Sequence, residues 1–346
     1  MRMADRAAVI TGLGAFTPPR VVTNDELAQR IDSSDEWIRT RTGIEQRHYV
    51  QEGVSTSDLA AESGRRALKN AGMDTVGFVV VATSSPDRIC PATAPTVASK
   101  IGLVDVPAMD VAAVCSGFMY ALQTGVGVIM GGVADSVLVI ASETPSLFLD
   151  DDRNAVIFGD GSGAVVLRAG ERTDPGAVLA WDGGSDGSLA DMITVRGIGS
   201  EHRAHKRALT ADDLSFRMQG KTVFPHAVRR MVESSQAALK KTGWSTADID
   251  TFVGHQANKR INEAVAELLE IPKERAVINI QNVGNTSSAS IPLALVESMC
   301  DGLLNTGDRV LLTAFGGGAT WASATLVWPE LKMPEMYDQP TEEHGK

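Results

Sequence analysis

The chain has 346 residues, 43% of them hydrophobic and 22% charged, as expected of a globular protein of one large or two smaller units. Its net charge of −11 repels phosphate backbones and argues against nucleic acid as a partner. Three cysteines without paired spacing, Cys90, Cys115 and Cys300, argue against a disulfide framework or a zinc site and fit a reducing cytoplasm.

In chain order, the first residues hold only a four-residue apolar run, too short for a signal-peptide core. Gly12-Leu-Gly14 lacks the third glycine of a dinucleotide fingerprint, and Pro18-Pro19 stand where its helix should start. Ala67-Leu-Lys-Asn-Ala-Gly72 reads as a helix end with its capping glycine, and Phe78–Ala82 as a continuously apolar strand. Residues 110–114 read as a buried strand leading into Cys115, and residues 116–130 as an apolar helix. The longest apolar stretch, Val126 to Ala141, is broken by Gly131, Gly132 and Asp135 into helix, turn and strand, so it is no membrane span. Phe158-Gly-Asp-Gly-Ser-Gly163 is a tight turn with a structural role. Residues 181–210 are polar and Gly-rich and look like an excursion. A helix end at Ala238–Gly243, a strand at Thr251–His255, a polar loop at Asn282–Ser290, a helix from Ser288 and a strand from Val310 complete the second half. After Trp328 the chain is Pro-rich and charged, and a frayed tail is expected.

The second half repeats the first. Val137-Leu-Val-Ile-Ala141 resembles Val310-Leu-Leu-Thr-Ala314, and Cys115-Ser-Gly-Phe-Met-Tyr-Ala-Leu122 resembles Ser288-Ala-Ser-Ile-Pro-Leu-Ala-Leu295. Both pairs, and the strands ending at Ala82 and His255, are offset by the same 173 residues. The register points to an internal duplication of a mixed α/β unit whose apolar strands form sheets covered by helices on both faces. The halves are residues 1–174 and 175–330, with 331–346 as the tail.

Three polar residues sit at strand–helix junctions. Cys115 lies at a helix N-terminus, where the positive end of the helix dipole should lower a thiol pKa; the alternative is an inert buried cysteine. His255 ends an apolar strand as a candidate acid, base or donor, or a satisfied structural histidine. Asn285 lies in the small-residue loop before the helix that the repeat equates with the Cys115 helix, which sets it opposite Cys115 unless it only caps a turn. Gly316-Gly-Gly318 follows a buried strand and could expose N–H groups to an oxyanion.

This set, in a duplicated chain, resembles the thiolase superfamily, and more closely the β-ketoacyl-acyl-carrier-protein synthase III family of initiating condensing enzymes. The likeness runs from about Ala8 to Trp328 and is strongest in Ser34–Ile44, the Cys115 segment, Phe158–Gly161, His255–Asn258, Gly284–Ser290 and Phe315–Gly318. It implies a five-layered α/β/α/β/α fold, a homodimer and no permanently bound cofactor or metal. It further implies that Cys115 takes an acyl group from acyl-CoA, and that malonyl-acyl-carrier protein then loses CO₂ and condenses with it. His255 and Asn285 would serve the decarboxylation, and the backbone N–H groups of Cys115 and Gly317 the oxyanion of acyl transfer. Trp37, Arg41, Arg153 and Asn258 would bind CoA. Gln256, Ala257, Asn258, Lys259 and Arg260 would dock the acidic carrier protein, with Lys221, Arg229 and Arg230 extending the patch. Phe315 and Cys90 would shape the acyl pocket, Cys90 in that of the dimer partner, where its small thiol implies tolerance of branched or longer primers. A starter-unit ketosynthase of polyketide synthesis, an acyltransferase to another acceptor, and a non-catalytic partner subunit are the competing readings.

Overall fold

The structure, a computed structural model, describes residues 6–149 and 154–337. Nine strands form the two main sheets: β1 (Arg6–Phe16), β2 (Phe78–Ala82), β3 (Ala108–Val111), β4 (Ser136–Glu143), β5 (Gly161–Glu171), β6 (Val178–Ser185), β7 (Thr251–Gly254), β8 (Arg309–Gly316) and β9 (Thr320–Val327). Six helices position the site: α1 (Asp35–Thr42), α2 (Thr56–Ala71), α3 (Gly117–Met130), α4 (Gly220–Thr242), α5 (Lys259–Leu268) and α6 (Ser290–Cys300). No helix among the described residues is long and apolar enough to cross a membrane.

The first sheet runs β1-β5-β4-β2-β3 and the second β6-β9-β8-β7. The two orders match position for position. In each, an antiparallel pair of outer strands leads to a parallel pair: β4 with β2, and β8 with β7. Phe78 pairs with Val137 and Thr251 with Val310, so the 173-residue offset recurs in the strand register itself. Where β3 closes the first sheet, the second has a single bridge from Phe252 to Ala276.

Both sheets are apolar on both faces, for a reason visible in the alternation of the strands. Val80, Ala82, Val137 and Val139 of the first sheet point inward with Val310, Leu312 and Ala314 of the second, and α3 and α6 fill the space between. Val79, Val81, Leu138 and Ile140 point outward onto α2. Leu311, Phe252 and Phe315 point outward onto α4. The layers are therefore helix, sheet, helices, sheet, helix. α2 starts at a capping box of Ser55 and Asp58 and stops at Gly72, whose φ is +66°. Small residues allow the close layers: a Cβ on Gly14 would lie 2.4 Å from Ala67 N of α2. Gly12 and Gly14 thus serve helix–strand packing within β1, away from any nucleotide turn.

Two expectations need correction. Trp181–Ser185 belongs to β6, an edge strand paired with β9, so the excursion starts only after it. It is the next residues, 186–219, that leave the sheet as short helical turns and a two-strand ribbon, Ile193–Thr194 with Arg217–Met218. The expected loose tail is seated as far as Tyr337, which is buried. Its hydroxyl donates to Glu297 at 2.6 Å, and its carbonyl accepts from Thr17 N at 3.1 Å. Residues 338–346 lie outside the described residues.

Candidate active site

β3 ends at Val111, and the chain then turns sharply through a 3-10 turn, Val114–Ser116, into α3. Val114 takes φ +46°, a left-handed conformation costly for a β-branched residue, by about 1–3 kcal/mol. The turn Ser287–Ala289 before α6 repeats this, with Ser287 at φ +50°. The duplicated elbow aims Cys115 from one half toward Ser287 of the other. Behind it stands Gly316: a Cβ there would lie 2.8 Å from both Cys115 N and Ser116 N. The Thr320 hydroxyl is 3.1 Å from the carbonyls of Ala113 and Gly317 and 2.7 Å from Ser116 Oγ, which ties the glycine turn to the elbow. The turn that carries Gly317 is thereby tied to the turn that carries Cys115.

Cys115 is buried, and burial pushes its thiol up to about 12. The hydrogen bond from Ser287 Oγ, 3.6 Å from Sγ, works against this without cancelling it. The nearby Glu143 carboxylate adds to the upward push of burial. Sequence reasoning missed the carboxylate next to Ser287. Glu143, at the end of β4, lies 3.3 Å from Ser287 Oγ and 2.6 Å from Ser288 Oγ. The serine pair in Thr286-Ser-Ser-Ala was legible, but a glutamate ending an apolar strand carries no local sign of its partners.

His255 is buried just past β7, and burial pulls its imidazole down to about 3, so the ring is neutral at pH 7. Ser290 Oγ accepts the Gln256 N–H at 3.3 Å and lies 2.6 Å from His255 Nδ1. We assign its own proton to the Nδ1 contact, which places the ring proton on Nε2. Among the described residues Nε2 has no hydrogen-bond partner. Asn285 is held by its backbone, N–H to Ile157 O at 2.9 Å and O from Gly159 N at 3.1 Å. The turn Phe158–Gly161 therefore anchors the Asn285 loop. Asn285 Oδ1 accepts the Ser287 N–H at 2.8 Å, which leaves Nδ2 as the donor.

Cys115, His255 and Asn285 line one narrow cavity. Its other walls are apolar: Ile193, Phe216 and Met218 from the 186–219 segment, Met231 of α4, Ile261 of α5, and Phe315. Phe315 was predicted to line an acyl pocket, whereas Ile193, Phe216, Met218, Met231 and Ile261 were missed. Ile193, Phe216 and Met218 stand as isolated apolar side chains in a polar segment, and Met231 and Ile261 belong to helix faces that read as ordinary core.

The remaining predicted residues divide. Trp37 and Arg41, four apart on α1, are both exposed on one face. Asn258 caps α5 through Arg260 N at 2.9 Å and donates from Nδ2 to the Arg41 carbonyl at 3.0 Å, so it joins α1 to α5. Lys259 and Arg260 are exposed beside it, and Ala257 lines the cavity. Gln256 does not fit a docking surface. It is wholly buried, donates to Gly254 O at 2.8 Å and Val277 O at 3.1 Å, and accepts from Asn279 N at 3.1 Å. Arg230 is half-buried, stacked 4.3 Å from the Trp321 ring and paired with Glu233 at 3.0 Å, so the basic face reduces to Lys221, Arg229, Lys259 and Arg260. Cys90 is exposed on the link after β2 and does not line the cavity of its own chain. Arg153 lies outside the described residues.

A buried cysteine elbow set between two pseudo-symmetric α/β halves, with a neutral histidine and an asparagine on the same cavity, defines an acyltransferase of the thiolase fold. Residues 109–187 match the family model for 3-oxoacyl-[acyl-carrier-protein] synthase III, and residues 239–328 match the model for its C-terminal part. The chain is 56% identical to β-ketoacyl-[acyl-carrier-protein] synthase III 5 of Streptomyces coelicolor over 94% of this chain and 98% of that one. Among solved structures it superposes on 3-oxoacyl-(acyl carrier protein) synthase III of Pseudomonas aeruginosa with TM-score 0.88, at 44% identity, covering 94% of this chain and 99% of that one. The priming β-ketosynthase of the R1128 polyketide pathway superposes with TM-score 0.86, at 31% identity, over 95% and 98%. The chain belongs to the β-ketoacyl-acyl-carrier-protein synthase III family.

Proposed function

We propose that the protein loads an acyl group from acyl-CoA onto Cys115 and condenses it with malonyl-acyl-carrier protein, releasing CO₂ and a β-ketoacyl-carrier protein that starts a fatty-acid chain. The observation that carries this reading is the single cavity on which Cys115, the unpartnered His255 Nε2 and Asn285 meet. In the first stage the Cys115 sulfur attacks the thioester carbonyl, and the Cys115 and Gly317 N–H groups hold the oxyanion. In the second stage decarboxylation builds negative charge on the malonyl thioester oxygen. His255 Nε2–H and Asn285 Nδ2–H donate to it, and the resulting carbanion attacks the acyl-enzyme. No bound cofactor or metal enters the cycle.

Trp37, Arg41 and Asn258 on the joined α1–α5 surface receive CoA. Lys221, Arg229, Lys259 and Arg260 offer the acidic carrier protein its local positive charge, within a chain of net charge −11. The protein works as a cytoplasmic homodimer. The likeness to a polyketide-priming ketosynthase supports a second reading, in which the same chemistry starts a polyketide.

Mass spectrometry of the intact protein after incubation with a panel of acyl-CoAs tests the first stage. One acyl adduct is expected, absent in Cys115→Ala, with CO₂ released once malonyl-carrier protein is added. An adduct without CO₂ release would point to acyl transfer to another acceptor.

A further inference from the structure

Glu143 is 1% exposed, and among the described residues its carboxylate meets only neutral donors. It accepts from Ser84 N at 3.0 Å and from the hydroxyls of Ser84 at 2.8 Å, Ser85 at 3.0 Å and Ser288 at 2.6 Å. The titratable groups near it are Cys115 from the elbow and Asp160 from the turn before β5, neither of them basic. No cation among the described residues meets it, and a buried carboxylate so placed is costly where an apolar side chain would make a cheaper wall.

The fourth serine at the carboxylate is Ser287. Its Oγ lies 3.3 Å from Glu143 Oε1 and 3.6 Å from Cys115 Sγ. A hydroxyl has one proton and cannot donate to both. When Ser287 donates to Glu143, its oxygen can accept the Cys115 S–H. When Glu143 is protonated, the chain reverses, and Ser287 donates to a sulfur anion. The two arrangements differ by one proton moved from sulfur to carboxylate.

We propose that Glu143 accepts the Cys115 proton through the Ser287 hydroxyl. The S–H bond breaks as Ser287 Oγ takes that proton, and the original Ser287 O–H bond breaks as Glu143 gains its own O–H. The thiolate then attacks the acyl-CoA carbonyl, and the CoA sulfur leaves with the electron pair of its C–S bond. When condensation expels Cys115 as a thiolate, Glu143 returns the proton by the same path. Ser287 touches the reacting sulfur, and Glu143 is a positioning residue that stores the proton. Burial holds the Glu143 carboxyl above the usual carboxylate range, which strengthens it as a base.

The relay rests on Cys115 as the acyl-carrying nucleophile, and one experiment separates the two. Single-turnover acylation by an acyl-CoA is followed by intact mass, from about pH 6 to pH 9, in wild type, Glu143→Gln and Ser287→Ala. Internal transfer makes the wild-type rate nearly independent of pH. In either variant the proton must leave to solvent, so the rate should climb about tenfold per pH unit and fall roughly 10²-fold near neutrality. A variant profile as flat as the wild type's, or a wild-type profile that itself climbs, overturns the relay while leaving Cys115 as the nucleophile. An adduct that persists in Cys115→Ala defeats both. If Glu143→Gln does not fold, Ser287→Ala, which removes one oxygen, carries the same comparison.

Discussion

At the scale of single residues, burial governs the site. His255 is neutral above about pH 3, so its Nε2–H remains a donor across the physiological range. Decarboxylation of malonyl-carrier protein should therefore show no loss from this histidine as pH falls from about 8 to 5, through the range of an ordinary imidazole. His255→Ala and Asn285→Ala should each slow CO₂ release by roughly 10²–10³. Acyl loading of Cys115 should survive both, since the proposed acyl-transfer oxyanion is held by the Cys115 and Gly317 N–H groups. An equal loss of loading and decarboxylation in either variant would contradict the division of roles. Trapped CO₂ and intact mass read the two stages separately.

At the scale of elements, the site is a strand–turn–helix elbow made twice. The elbow of β3 and α3 presents the sulfur, and that of the second half presents Ser287 and Ser288. Both keep a non-glycine residue at positive φ, and the first is braced from behind. The brace at Cys115 is Gly316, the last residue of β8. The atoms a side chain would meet there are backbone amides, which cannot swing aside. Gly316→Ala should therefore push the elbow forward, abolish the acyl adduct and lower the melting temperature by several degrees, for a cost on the order of 1–3 kcal/mol. Unchanged loading and melting would show that the elbow tolerates displacement.

At the scale of the whole molecule, the two halves share one core, and the cavity lies where they meet. Cys90 and Ile89, the latter 70% exposed, stand on the first half away from that cavity. In the proposed homodimer this link reaches the partner's acyl pocket, and a thiol there leaves room that an aromatic ring would fill. Cys90→Phe should then narrow the accepted acyl-CoA range toward acetyl, measured as kcat/KM across a chain-length series. An unchanged range would remove Cys90 from the pocket.

The sequence by itself determined the duplication, the apolar strands of each half and the placement of Cys115 and His255 at strand ends and of Asn285 in the loop before the matching helix. All of these are written in local patterns: apolar runs, capping glycines and a 173-residue echo that the strand register repeats. Tertiary structure alone decided what those groups are chemically. Enclosure between two sheets lifted the Cys115 thiol and kept His255 neutral. It also brought Glu143 to Ser287, 144 residues along the chain. Gln256 left the predicted docking surface because its amide satisfies buried backbone, and the tail to Tyr337 was seated by a hydroxyl contact to Glu297. Desolvation and long-range hydrogen bonds depend on which distant segments pack together, and no window of sequence contains that information.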